Sequence, residues 1–194
     1  MSASHSIENQ SPRVSRSVRT APAEIVRALA LLLLPTLLVI GLFRGGGSHM
    51  LAPGDTAANL QLSAVDSAGT EGTMFGGKLT AILFFSAECP HCVREIVTFD
   101  RLSNRFGGTI SFLAISSSNR SRTANLLREK QIAVHTALDS GDGGKRIYGV
   151  DVLPAFFLIG KDGTVLYRDS GERGYIVRER LFKRFTDEQT TFLE

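Results

Sequence analysis

Residues 81–92 read AILFFSAECPHC, and this stretch decides the fold. Its first part is a continuous apolar run, which is typical of a strand buried on both faces of a sheet. Its last part contains the two cysteines of the chain, Cys89 and Cys92. Apolar residues then recur at helical spacing after the second cysteine. The pattern predicts a central strand at Thr80–Ser86 and a helix at Cys92–Phe106, with the cysteine pair at the junction between them.

A cysteine at the start of a helix has chemical consequences. The backbone N–H groups of the first turn lack partners within the helix, and the helix dipole favours negative charge there. Both effects stabilise the thiolate, which is the reactive form of cysteine. We therefore predict that Cys89 is a nucleophile and that Cys92 is the thiol that resolves its mixed disulfide. His91 favours the thiolate further when it is charged or donates a hydrogen bond.

Two other roles for a Cys-x-x-Cys pair are disfavoured by the rest of the sequence. A structural zinc site needs two more ligands. No cysteine remains, and the other histidines, His5, His49 and His135, have no partner at ligand spacing. A purely structural disulfide across two residues would close a loop too short to constrain the unfolded chain. A redox-active dithiol without a bound metal or cofactor is therefore the expected site.

The charge of the chain is concentrated near its N-terminus. The net charge is +3, and residues 1–44 account for it with five arginines and two glutamates. The remaining residues contain 17 basic and 17 acidic side chains. A basic excess that is confined to this Ser-rich N-terminal segment does not indicate nucleic-acid binding, and we predict that the chain does not bind nucleic acid. Residues 1–24 are predicted to be a disordered, basic cytoplasmic segment.

An apolar run follows this basic segment. Residues 28–43 are sixteen uncharged residues, ALALLLLPTLLVIGLF, and Ile25 and Val26 extend the run on one side. About 20 apolar residues cross a bilayer, and Pro35 is tolerated in a membrane span. We predict a single transmembrane anchor at residues 25–43. Because most of the nearby arginines precede it, the N-terminus is placed in the cytoplasm and the C-terminal domain in the periplasm, outside the inner membrane.

Two alternatives to the anchor follow from the same part of the chain. A cleaved signal peptide has an apolar core of this length, and Gly45, Gly47 and Ser48 offer small residues for cleavage. A buried core helix is disfavoured because the run has no polar face. Residues 44–53 are predicted to be a flexible linker. The sequence Gly-Ser-His-Met at residues 47–50 also matches the scar left by removal of an affinity tag.

The sequence from residue 51 onward alternates short strands and helices and includes a hairpin. This order predicts a mixed α/β sheet. The Asp162-Gly163 pair is a strong signal for the hairpin turn. Ser121 is the expected cap of the second helix. The other predicted elements are strands at Leu60–Val65, Thr109–Ser116, Val134–Leu138, Ala155–Ile159 and Thr164–Tyr167, and helices from Ser121 to about Lys130, at Gly143–Tyr148 and at Tyr175–Phe185.

Residues 52–185 resemble the thioredoxin superfamily, and within it the membrane-tethered TlpA/ResA-like oxidoreductases. The segment GDTAANLQL at residues 54–62 resembles the redoxin-type motif G-x-x-A-P-x-F-x-L. Glu95 stands where the family has C-x-x-C-x-x-E. The resemblance implies a thioredoxin-like fold with an N-terminal redoxin-type extension at residues 54–186. A transmembrane helix would precede this domain, and residues 187–194 would form a tail.

Two further segments carry the resemblance at the site. Residues 89–92, CPHC, are similar to the active site of DsbA-type proteins, and Leu153-Pro154 is similar to the segment that ends in the superfamily's cis-proline. The resemblance implies a cis peptide at Pro154, with the proline ring against the dithiol and the Leu153 backbone available to a substrate strand. The resemblance also implies that Pro90 and His91, the dipeptide between the cysteines, influence the redox couple. The stretch between the two segments is too short for the helical insertion of DsbA and fits the smaller insertion of the TlpA-like group.

Two residues depart from the superfamily's pattern. Leu83 occupies the position of a buried carboxylate that is usually assigned to proton transfer. Glu88, directly before the nucleophile, stands where an aromatic residue is usual. A close carboxylate would raise the pKa of Cys89 and so oppose the helix dipole. A solvated surface position is the other interpretation of Glu88, and it is the one that we expect.

The resemblance implies a membrane-tethered thiol–disulfide oxidoreductase. Its implied partners are exported protein thiols or disulfides, with a membrane electron donor and cytochrome c maturation components as candidates. The TlpA-like backbone indicates a reductase, whereas the CPHC dipeptide indicates a less reducing couple, so both directions of electron flow stay open. A copper chaperone is the alternative, because thiolates select Cu(I) and such proteins add a distant histidine, for which His135 is the candidate. A peroxidase is disfavoured because residues 86–89 do not provide a Pro-x-x-x-Thr-x-x-Cys loop.

We predict that the intact chain stays in the membrane fraction through high-salt and carbonate washes, because residues 25–43 span the bilayer. External protease should cut it near residues 45–48. Immunoblotting of the membrane and soluble fractions measures both outcomes. A soluble form shortened at its N-terminus would show instead that the apolar run is a cleaved signal peptide.

Overall fold

The structure is a computed structural model that describes residues 49–65, 70–72, 75 and 77–191, all within one unit, Ser48–Glu194. The predicted basic segment, the predicted anchor and the first half of the predicted linker, residues 44–48, lie outside these residues. None of the helices in the described ranges combines the length and the apolar character that a membrane span requires.

The described part of the chain contains a mixed sheet of seven strands. In space the strands lie in the order second, first, fifth, fourth, third, sixth, seventh. The third strand pairs in parallel with the fourth and the fourth with the fifth, and the other neighbours are antiparallel. The predicted mixed α/β sheet is therefore confirmed. The strands are β1 (Gln61–Ala64), β2 (Thr70–Gly72), β3 (Leu79–Phe85), β4 (Ile110–Ser116), β5 (Thr136–Leu138), β6 (Ala155–Ile159) and β7 (Val165–Ser170).

Helices cover both faces of this sheet. Alternate residues of a strand point to opposite faces, so Leu83 and Phe85 of β3 pack with the first and last helices, whereas Phe84 packs with Tyr148. All seven residues of β3 are buried as a result, which explains its continuous apolar sequence. The helices of the described residues are α1 (Pro90–Phe106), α2 (Arg120–Lys130), α3 (Gly143–Tyr148) and α4 (Tyr175–Thr191).

Three helix boundaries differ from those predicted. α1 begins at Pro90 rather than at Cys92, because proline suits the first turn, where its missing N–H costs nothing. The prediction that Ser121 caps α2 is wrong. The cap is Asn119, whose side-chain oxygen accepts the backbone N–H of Arg122 at 2.9 Å. α4 continues past the predicted end at Phe185 and through part of the predicted tail.

The strands show smaller differences. β2 was not predicted, since Thr70–Gly72 is short and has no apolar alternation. β5 begins at Thr136 rather than at Val134. β7 continues beyond the predicted Tyr167, as far as Ser170. This extension places the end of β7 beside the start of β6, to which it is paired.

The predicted N-terminal extension lies along the outer edge of β7. The backbone N–H of Gly54 donates to the carbonyl of Val165 at 2.9 Å, and the N–H of Val165 donates to the carbonyl of Asp55 at 2.8 Å. An isolated bridge joins Thr56 to Thr164. These bonds join the extension to the sheet.

Gly149 ends α3 in the left-handed conformation, with φ of +63°. A Cβ atom at this position would lie 2.4 Å from both the carbonyl carbon and the carbonyl oxygen of His49. Real Cβ atoms do not approach backbone so closely. A side chain is therefore disfavoured here both by the backbone conformation and by the adjacent chain.

We predict that Gly149→Ala destabilises the domain by at least about 1 kcal/mol more than Gly77→Ala. Gly77 is the matched control, because its φ is also positive (+77°) and a Cβ there meets nothing within 4 Å. Chemical denaturation followed by circular dichroism measures the two free energies of unfolding. Equal losses would show that the contact with His49 carries no energetic weight.

Candidate active site

The two cysteines lie at the junction between β3 and α1, as predicted. Cys89 is the N-cap residue, with extended backbone angles (φ −91°, ψ 116°), and Pro90 follows in the first turn. The backbone N–H of Cys92 donates to the sulfur of Cys89 over 3.3 Å. The sulfur of Cys89 thus occupies the place of a capping acceptor, where the helix end stabilises negative charge.

The two thiols have different surroundings. Both are free in this structure, Cys89 half-buried and Cys92 completely buried. Burial, and to a smaller extent the hydrogen bond with Cys89, raises the pKa of the Cys92 thiol to about 12. Cys92 is therefore a neutral thiol at physiological pH, and Cys89 is the sulfur that a reaction partner reaches first.

A groove of about 600 Å³ opens beside the dithiol. The Leu153–Pro154 peptide on its wall is cis, as the resemblance implies. The carbonyl of Pro154 accepts the N–H of Gly171 at 2.7 Å, which joins the proline loop to the segment after β7. The groove brings His91, Leu153 and Pro154 together, whereas Pro90 is exposed outside it. Its lining residues are His91, Val152, Leu153, Pro154, Gly171, Glu172, Arg173 and Gly174.

His91 is held by two side chains that sequence analysis did not single out. Its Nδ1 atom lies 2.9 Å from Oε2 of Glu172 and 2.9 Å from Nη2 of Arg94. The ring is otherwise open to solvent, with the side chain 66 % exposed. The expected stabilisation of the Cys89 thiolate by His91 stays a prediction. Glu172 and Arg94 both contact Nδ1 of His91, so that nitrogen already has partners other than Cys89.

Glu172 and Arg94 form a strong pair beside the dithiol. Both carboxylate oxygens of Glu172 accept hydrogen bonds from Arg94, the shortest at 2.7 Å. The bonds from Arg94, followed by that from His91, lower the pKa of Glu172 to about 2. Pairing with Glu172 raises the pKa of Arg94, and the charge of Cys89 adds a smaller effect in the same direction. Neither residue belongs to a sequence motif, and Glu172 is distant from α1 in the chain.

A buried ionic network lies next to this pair. Oε1 of Glu95 accepts a hydrogen bond from Nε of Arg178 at 2.7 Å. Its Oε2 accepts hydrogen bonds from the backbone N–H groups of Arg173, at 3.0 Å, and Gly174, at 3.2 Å. The guanidinium of Arg178 also donates to both oxygens of Asp169, at 3.0 and 2.8 Å. Glu95, which the family resemblance singled out, thus holds the segment that carries Glu172.

Glu88 directly precedes Cys89 and has a separate set of partners. Its carboxylate accepts the hydroxyls of Ser118 and Ser86 and the guanidinium of Arg122, the last two at 2.7 Å. The bond from Ser118, followed by those from Ser86 and Arg122, lowers the pKa of Glu88 to about 2. Glu88 is exposed, as expected, but its charge is paired with that of Arg122 rather than only solvated.

Leu83 is completely buried, between Ala114 of β4 and Phe156 of β6. Its neighbours confirm that this position belongs to the apolar core. A proton acceptor for Cys92 is therefore not supplied from position 83.

His135 is remote from the dithiol. It precedes β5, which runs parallel to β4, and so lies at the N-terminal end of the parallel strands. Cys89 follows β3 at their C-terminal end. His135 lines a separate cavity of about 820 Å³ between β5 and the end of α2. Within the described ranges, no three His, Cys, Asp or Glu side chains lie together as metal ligands would.

Comparison with known proteins gives a family and a fold. The AhpC/TSA family model matches residues 53–168, which is more than half of the chain. The thiol-disulfide oxidoreductase ResA of Bacillus cereus is 25 % identical over 166 residues, covering 84 % of this chain and 96 % of that protein.

Two solved structures are similar in fold. A thiol:disulfide interchange protein from a Bacteroides species superimposes with a TM-score of 0.61 at 18 % identity, covering 70 % of this chain and 91 % of that one. The thioredoxin domain of a thiol-disulfide oxidoreductase from Bacteroides vulgatus gives 0.57 at 18 % identity, covering 68 % and 98 %. The thioredoxin-like fold that the sequence predicts is confirmed.

We predict that iodoacetamide modifies Cys89 and spares Cys92 in the reduced protein at pH 7 to 8. The raised pKa of Cys92 leaves only about one thiol in 10⁴ ionised at pH 8. Its labelling should therefore stay slow near neutral pH and accelerate about tenfold for each pH unit below 12. Peptide mass spectrometry after short labelling times gives the rate at each cysteine. Faster labelling of Cys92 than of Cys89 near neutral pH would contradict the assignment of roles.

Proposed function

The chain belongs to the AhpC/TSA family, and from its site we propose that it is a thiol–disulfide oxidoreductase that exchanges disulfides with exported proteins through Cys89 and Cys92. One observation carries the proposal: the half-buried sulfur of Cys89 accepts a helix N–H, and the completely buried Cys92 lies one helical turn away. An accessible, stabilised sulfur beside a shielded one is what dithiol exchange requires.

The reaction runs in two exchange steps. The Cys89 thiolate attacks one sulfur of a substrate disulfide, an S–S bond forms between them, and the other substrate sulfur leaves as a thiolate that takes up a proton. Cys92 then gives up its proton and attacks the sulfur of Cys89. The substrate's second sulfur leaves, so the substrate gains two electrons and two protons while the enzyme becomes a disulfide.

The same steps in reverse oxidise a substrate dithiol. The reduction potential of the Cys89–Cys92 couple relative to its partners sets the direction. A partner dithiol, such as that of a membrane electron donor, restores the reduced enzyme when it acts as a reductase. Components of cytochrome c maturation are candidate substrates, as the TlpA/ResA-like resemblance implies.

The groove beside the dithiol is the proposed docking surface for the substrate. Leu153 and Pro154 would meet the substrate strand, and the Pro90–His91 dipeptide would tune the couple. The mixed polar and apolar character of the groove suits an extended polypeptide better than a small rigid ligand.

The proposed place of action is outside the cytoplasmic membrane, with residues 25–43 as the anchor. The uniform apolar run and the arginines that precede it support this location. A tethered domain meets membrane-bound and exported substrates at raised local concentration.

The two rival functions have less support. A copper chaperone would need its histidine near the cysteine pair, and His135 lies at the other end of the parallel strands. A peroxidase would need a Pro-x-x-x-Thr-x-x-Cys loop, which residues 86–89 do not provide.

We predict that Cys89→Ser lowers insulin-disulfide reduction to the uncatalysed background, because the attacking sulfur is lost. Cys92→Ser should instead accumulate a mixed disulfide with the substrate, because nothing resolves it. Turbidity assays and non-reducing gels measure the two outcomes. Ser117→Ala, on the loop after β4, is a control that keeps both cysteines. A Cys89→Ser protein that remained active would refute the proposed reaction.

A further inference from the structure

The segment between β7 and α4, residues 171–174, is fixed at the rim of the groove. Gly171 donates its N–H to the carbonyl of Pro154 at 2.7 Å. Arg173 and Gly174 donate theirs to the buried carboxylate of Glu95. Since the backbone is held on both sides of Glu172, that side chain has a defined place beside the start of α1.

Glu172 engages the two basic side chains of α1 that lie nearest to Cys89 in sequence. Arg94 donates Nε to both oxygens of Glu172, at 2.9 and 3.0 Å, and Nη2 to Oε2 at 2.7 Å. His91 Nδ1 shares the same Oε2 at 2.9 Å. A protonated His91 donates to Glu172, whereas a ring unprotonated at Nδ1 accepts from Arg94. Either form of the imidazole is thus retained by this cluster.

We propose that Glu172 is a positioning residue for the dithiol: it holds Arg94 and His91 and balances their charge, so that the Cys89 thiolate is stabilised less than the CPHC sequence alone would give. The inference rests on the proposed function and deepens it. The reactivity of Cys89 then depends on Glu172, which is distant in the chain, as well as on the Pro90–His91 dipeptide.

The other charged and titratable groups near Cys89 leave this role to Glu172. Glu88, before the nucleophile, is matched by Arg122 at 2.7 Å. Cys92 is neutral at physiological pH because burial raises its pKa to about 12. Arg173 points to Asp169, with Nε 3.1 Å from Oδ2. Arg94, unlike Arg122 and Arg173, interacts both with its carboxylate partner and with Cys89: Glu172 and, to a smaller extent, the charge of Cys89 raise the pKa of Arg94.

The direction of the effect follows from these charges. Glu172→Gln removes one negative charge and so leaves the permanent charge of Arg94 uncompensated. This change stabilises the thiolate, so a larger fraction of Cys89 should be ionised at a given pH. The pKa of His91 should fall as well, because its anionic partner is gone. Arg94→Gln should raise both pKa values, since Glu172 then acts on them without its main counter-charge.

The experiment compares the full-length reduced chain, purified in detergent, with Glu172→Gln, Arg94→Gln and the double variant. Absorbance at 240 nm against pH follows the Cys89 thiolate, and ring-proton NMR follows His91, assigned with a His91→Gln variant. Equilibration with glutathione gives the potential, which should become more oxidising in Glu172→Gln. Glu179→Gln is the matched control, because it removes the same charge from another surface pair, 2.6 Å from Arg105.

Opposite shifts in Glu172→Gln and Arg94→Gln, a double variant whose pKa values lie between those of the two single variants, and no shift in Glu179→Gln would support the proposal. Unchanged Cys89 and His91 pKa values in a folded Glu172→Gln protein would overturn it. If Glu172→Gln failed to fold, an unchanged Cys89 pKa in Arg94→Gln would do the same. A wild-type chain without insulin-reducing activity would instead refute the proposed function, and the titrations would still decide what Glu172 does.

Discussion

The arrangement of the site depends on the ion pairs that the buried guanidinium of Arg178 makes. This guanidinium is only 2 % exposed, it bonds Glu95 of α1 and Asp169 of β7, and it lies 4.0 Å above the ring of Phe156. Removing one partner of such a buried network costs about 3–5 kcal/mol, since charges remain in the core without compensation. That is a large part of a typical domain stability of about 5–15 kcal/mol. The network joins α1, β7 and α4 and leaves Glu95 free to hold the backbone of residues 173 and 174.

Two matched ion pairs include residues close to Cys89 in the chain, Glu88 and Arg94. Glu88 pairs with Arg122 and Glu172 pairs with Arg94, each through a bond of 2.7 Å. Because each acid has its own arginine, the net field of these four side chains on the sulfur is small compared with that of an unpaired charge. The helix end and the N–H of Cys92 then become the main stabilisers of the thiolate.

The fold was predictable because its signals are local. The apolar run of β3, the Asp162-Gly163 turn and the cysteines at the strand–helix junction each follow from neighbouring residues. Asn119 was missed as a cap because Ser121 is an equally good candidate by type, and only the backbone path decides between them. The charges of the site were missed for another reason: Glu172 meets Arg94 only once β7 and α1 are both in place, and no spacing along the chain reports that contact. The candidate reactive residues were therefore accessible from sequence, and the charged residues around them were not.

The outer edges of the sheet have a consequence for an enzyme that would handle partly unfolded chains. An open edge strand is a template on which foreign segments add and aggregate. Here β2 is only three residues long, and the start of β7 is covered by the backbone bonds of Gly54 and Asp55 to Val165. The remainder of β7 carries the cation Arg168, followed by Asp169, whose carboxylate is held by Arg178. Extended polypeptides are thereby discouraged from joining the sheet, which leaves the groove as the proposed place where a substrate chain meets the dithiol.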